Sequence, residues 1–160
     1  MIVVSGCTTF SFGGQSSQEQ PVELVIENKA DIEQTFEVSV IQRPGPVKIF
    51  YEDGRIGNQT VKEGISQTVP NEDENVSIKR VELPSSARSY DNFRVEGGQR
   101  INDNISNLPS NFAIVVVVYQ NKNRIISVVT ANCGGAVLKG LRVTGDPNPE
   151  EGIYTAYSCE

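Results

Sequence analysis

Histidine is absent from this 160-residue chain, and so is tryptophan. Histidine is the commonest general acid–base and metal ligand near neutral pH. Without it there is no Ser-His-Asp triad, no Cys-His pair and no histidine-based zinc or copper centre. A blue-copper site needs two histidines and a cysteine, so that chemistry is excluded even on a suitable fold. Cys133 has no imidazole to activate it as a nucleophile, and no Ser-x-x-Lys pair is present. Carboxylates brought together by strands remain the one hydrolytic arrangement left open. Long apolar runs are also missing. The longest, Ala113 to Tyr119, is strand-sized, whereas a membrane helix needs ~20 residues. With a net charge of −6 the chain has no basic stripe to neutralise phosphates, which argues against a nucleic-acid partner. The expectation is a non-enzymatic chain without a cofactor or a metal site.

Cysteine is scarce, with three in all. The first closes Val4-Ser5-Gly6-Cys7, and Thr8-Thr9-Phe10-Ser11-Phe12-Gly13-Gly14-Gln15-Ser16-Ser17 follows at once. A small-residue run ending in Cys and continuing into a Gly/Ser tether resembles the lipobox of secreted lipoproteins. That resemblance implies lipid attachment at Cys7 and a place on the extracellular face of the cell membrane. A full export signal has a basic start and an apolar core of ~7–15 residues, of which only Met1 to Val4 stand here. The alternative is a short first strand with a structural thiol. Lipidation of Cys7 would leave Cys133 and Cys159 as a disulfide pair in an oxidising compartment. Two buried reduced thiols are the other option. Residues 1–20 thus read as a lipobox remnant and flexible tether, and residues 21–160 as one domain.

From Pro21 onward the pattern has period two. Val22, Leu24 and Ile26 share one face and Glu23 and Glu27 the other. Phe36, Val38 and Val40 alternate likewise, and this second strand is expected to pair antiparallel with the first across the turn Asn28 to Asp31. Val47, Ile49 and Tyr51 form a third alternation. Short strands are expected at 58–61 and 65–69. Val76 and Ile78 have one parity and Val81 and Leu83 the other, which predicts a β-bulge or two short strands. Residues 84–98 read as a loop, and Ile101 to Ile105 as a short strand. Phe112 to Tyr119 is apolar on both parities and should be covered on both sides or lie mid-sheet. It returns through Gln120-Asn121-Lys122-Asn123 into Arg124 to Ala131. Ala136 to Val143 and Gly152 to Cys159 complete the set. No helical period is sustained. The fold class is all-β, an antiparallel β-sandwich of immunoglobulin-like or cupredoxin-like architecture. The immunoglobulin hallmark, an inter-sheet Cys pair around a buried Trp, is missing.

Three stretches resemble small haloarchaeal secreted lipoproteins. They are Val4 to Cys7 with its tether, Val22 to Asn28 leading to Glu37 to Val40, and Leu108-Pro109 through Phe112 to Val118 then Val128 to Cys133. The resemblance covers about a third of the chain. It implies secretion, a lipid anchor and an immunoglobulin-like domain, and it carries no catalytic residues.

Asn58-Gln59-Thr60, Asn75-Val76-Ser77 and Asn104-Ile105-Ser106 fit the glycan acceptor N-x-Ser/Thr. The acidic run Asn71 to Asn75 lacks calcium-loop spacing and reads as solvated, as do Asp146, Glu150 and Glu151. Candidate contact loops are 52–60, 84–98 and 144–152. Arg88, Tyr90, Phe93 and Arg94 make 84–98 the first choice, since aromatic and Arg residues dominate hot spots. A protein or glycan partner at the cell surface is the expectation. The alternative is an assembly subunit joined through edge-strand pairing, with Phe10 and Phe12 as anchors.

Overall fold

The computed structural model describes residues 20–42, 45–61, 63–70, 76–121, 123–146 and 152–160. Cys7, Asn75, the acidic run 71–75 and all of the expected tether except Gln20 lie outside the described residues. Among the described residues twelve strands follow in order: β1 (Val22–Asn28), β2 (Gln34–Gln42), β3 (Val47–Tyr51), β4 (Ile56–Gln59), β5 (Gly64–Thr68), β6 (Ile78–Glu82), β7 (Ala87–Val95), β8 (Arg100–Ile105), β9 (Phe112–Gln120), β10 (Arg124–Asn132), β11 (Leu138–Gly145) and β12 (Ile153–Cys159). Among the described residues no helix is long and apolar enough to cross a membrane.

The strands form a β-sandwich. One sheet runs β12-β11-β1-β8, the other β4-β3-β6-β10-β9-β2-β7, with β5 also paired to β10. All pairings are antiparallel except β1 with β11. Period two explains the packing. Val22, Leu24 and Ile26 face Phe36, Val38 and Val40 across the sandwich, joined by Ile114, Val116 and Val118 of β9. The opposite parity of β9 (Ala113, Val115 and Val117) is buried in a second core with Val47, Ile49 and Ile78. Both parities of β9 are therefore covered, as its continuous apolar run requires.

The second core exists because the larger sheet folds back on itself. Val128 to Asn132 of β10 pair with β5, and only Ile125 meets β6, at Ile78. Strands β6, β3 and β4 then pass over the outer face of β9. A bulge helps this bend: Tyr51 opposes Ile78 and Phe50 opposes Arg80, which leaves Lys79 extra. This is the parity change between Ile78 and Val81.

Two expectations are corrected. β1 and β2 do not pair; they lie in different sheets. Buried Asn28 holds the crossing: its Nδ2 donates to the carbonyls of Ile32 (2.7 Å) and Val95 (2.9 Å), and its Oδ1 accepts from the Ala30 amide. Lys29 N–H also donates to the Gly145 carbonyl, so the chain stays on the smaller sheet before crossing over. Second, most of 84–98 is not a loop. Strand β7 pairs along β2 from Gln34–Val95 to Ile41–Ala87, with Tyr90 as the extra residue of a bulge. Its polar composition is that of an edge strand, where charge and bulges discourage further pairing.

Candidate functional site

The four residues first chosen do not form one surface. Tyr90 and Phe93 turn inward, their rings 6.5 Å apart, and pack half-buried on the inter-sheet core. Tyr90 Oη donates to Asp103 Oδ2 on β8 at 2.8 Å. Burial, then the Asp103 carboxylate, push the Tyr90 phenol above the usual tyrosine range. Arg94 stays exposed beside Glu33 at 3.5 Å, and Arg88 donates to the Ala87 carbonyl.

Exposed apolar and Arg residues converge instead on the outer face of β4-β3-β6. Lys48 and Phe50 have the parity opposite to core residues Val47, Ile49 and Tyr51. Cross-strand register places Phe50 between Ile56 and Arg80, and Lys48 between Asn58 and Glu82. Ile56 is 59% exposed. The Arg80 guanidinium lies 3.5 Å from the Phe50 ring centroid, and its Nη1 donates to Glu82 at 3.1 Å. Lys48 reaches the other Glu82 oxygen at 3.9 Å. These contacts hold a planar cation over a half-buried aromatic.

The β3–β4 turn carries Arg55 with the parity of Tyr51, opposite to that of Phe50. Glu52, Asp53 and Gly54 make a three-residue hairpin loop, and Gly54 supplies φ 89°. The Arg55 amide donates to Asp53 Oδ1 at 3.0 Å and its Nε to Oδ2 at 2.6 Å. The amide first, then the guanidinium, hold the exposed Asp53 carboxyl below its usual range. The Arg55 guanidinium also stands 5.8 Å from the Tyr51 ring centroid. Chemically the face offers stacking, charge and hydrogen bonding. Among the described residues no group of three His, Cys, Asp or Glu could hold a metal ion. The segment 52–60 was among the expected contact loops, but Phe50 and Arg80 were not singled out. Their signal was an apolar residue on the polar parity of β3.

Asn58 is exposed at mid-β4 and Asn104 near the end of β8, and both strands end their sheets. Cys133 and Cys159 form a disulfide with Cα atoms 5.8 Å apart. Cys133 follows β10 and Cys159 ends β12, so the bond joins the two sheets. No family model, no curated protein and no solved structure matches the chain.

Proposed function

We propose that the chain is a non-enzymatic β-sandwich lipoprotein, held through Cys7 on the extracellular face of the cell membrane, where it binds a partner or serves as a structural module. The observation that carries this reading is the pairing of Cys133 with Cys159, which takes up two of the three cysteines of the sequence. Disulfides persist in oxidising compartments, and Cys7 stands where a lipobox cysteine would. The immunoglobulin-like architecture and the haloarchaeal origin belong to the same proposal. The partner, a protein or a glycan, would contact the β3-β6 part of the β4-β3-β6 face, where Arg80 stacks on Phe50 as suits a hot spot. Detergent phase partitioning of protein made in its own cells tests the anchor. Wild type should enter the detergent phase and Cys7→Ser the aqueous phase; equal partitioning would refute it.

A second reading, assembly through edge-strand pairing, draws on β12. That edge strand carries no charged residue, and Tyr154 and Tyr157 are 49% and 44% exposed. A monomer by size-exclusion chromatography would reject it.

A further inference from the structure

We propose that Asn58 is a site of N-linked glycan attachment in the mature protein, and that the first sugars lie on Ile56. The inference rests on the export reading, because acceptor triplets are modified in exported chains. Two independent observations meet at this position. The first is access: Asn58 and Thr60, the two defining residues of the triplet, are both exposed, and β4 is the last strand of its sheet. The second is an uncovered apolar residue beside it. Ile56 is two residues away on the same strand and the same face, 59% exposed. Phe50, directly across from Ile56, is half-buried with the Arg80 guanidinium 3.5 Å from its ring centroid, so the uncovered apolar surface beside Asn58 is that of Ile56.

Asn104 offers access without the second feature. Across from it stands Glu23, its same-face strand neighbour is Asn102 and its diagonal neighbour Val25 is buried, so none of the three offers a sugar exposed apolar surface. A glycan at Asn58 would also block the β4 edge. That strand has no charged residue from Ile56 to Gln59, whereas edge strand β7 is guarded by Arg88, Asp91, Arg94 and a bulge.

The chemistry needs a glycan donor linked through phosphate to a membrane lipid, and a transferase of the exporting membrane. The Asn58 Nδ2 forms a bond to C1 of the first sugar. The bond between C1 and the donor's phosphate oxygen breaks, the lipid phosphate leaves with the electron pair, and the carboxamide gives up one proton.

The test is peptide mass spectrometry of the full chain isolated from its own membranes. Cleavage after Arg55 and Lys62 isolates residues 56–62. That peptide should be heavier by whole sugar residues in wild type and Thr60→Ser, and bare in Asn58→Gln and Thr60→Ala. A bare 56–62 peptide on molecules that carry lipid at Cys7 overturns this inference and leaves export standing. A sugar-bearing peptide on molecules without lipid supports it and overturns the anchor. Hydroxyl-radical labelling tests the covering: Ile56 should label less in wild type than in Asn58→Gln, and equal labelling would refute contact with the sugars.

Discussion

The Tyr90 hydroxyl donates to the Asp103 carboxylate at 2.8 Å, and so ties edge strand β7 of one sheet to edge strand β8 of the other. The bulge at Tyr90 explains how: the extra residue aims the ring into the seam between sheets instead of along the ladder. At this seam the sandwich is closed by side chains, since β7 and β8 share no backbone ladder.

The Tyr90 phenol ionises above its unfolded value because of burial and the Asp103 bond. The half-buried Tyr119 shifts the same way, through burial and then Glu37. A raised tyrosine pKa means the folded state keeps a proton that the unfolded state has lost. The stabilisation is therefore full below the unfolded pKa of about 10 and declines as pH rises beyond it. Denaturant midpoints measured from pH 8 to 11 should fall at the alkaline end. Tyr90→Phe should lower stability at pH 8 by about 1 kcal/mol and flatten the alkaline decline. An alkaline slope unchanged by the substitution would contradict the assignment.

The disulfide closes a loop with a sequence separation of 26. In the chain-entropy model such a link stabilises by about 3–4 kcal/mol. Reduction should lower the unfolding midpoint accordingly. Amide exchange should quicken first in β12, which Cys159 pins beside the end of β10. Identical midpoints with and without reductant would count against the bond.

Neighbouring residues on opposite faces of β3 should respond in inverse order of size. Ile49 is 1% exposed in the second core, and Ile49→Ala should cost about 2–5 kcal/mol. Phe50 is larger but lies on the outer face, and Phe50→Ala should cost about 1 kcal/mol or less, mainly the stack with Arg80. Chemical denaturation of the two variants decides between this facing and its reverse.

Gly97 is a point of close backbone approach. A Cβ there would lie 2.6 Å from the Ala30 carbonyl oxygen, and backbone cannot move aside as a side chain end could. Gly97→Ala should therefore destabilise by about 1–3 kcal/mol. Gly135 has open space around the same atom, and Gly135→Ala should stay near wild type. Thermal melts of the pair provide the comparison.

The cores were readable in the sequence because period two separates faces: Val22, Leu24 and Ile26 faced inward as their spacing required. The double-sided run in β9 announced the second core, and the parity change after Ile78 announced the bulge. Partnership was not readable. A turn such as Asn28 to Asp31 serves a hairpin or a crossing between sheets equally well, and only the buried carboxamide of Asn28 decides. β7 was missed because edge strands use the charged, loop-like residues that hide them from a pattern search. The β4-β3-β6 face was missed because alternation was read for its inward members, and Phe50 and Ile56 broke it on the outward side.

The most direct test of the surface-lipoprotein account is the intact mass of the protein extracted from its own membranes without reductant. The account predicts a mature chain that begins at a lipid-modified Cys7 and is two hydrogens lighter for the Cys133–Cys159 bond. A chain that retains Met1 and carries three free thiols would contradict it.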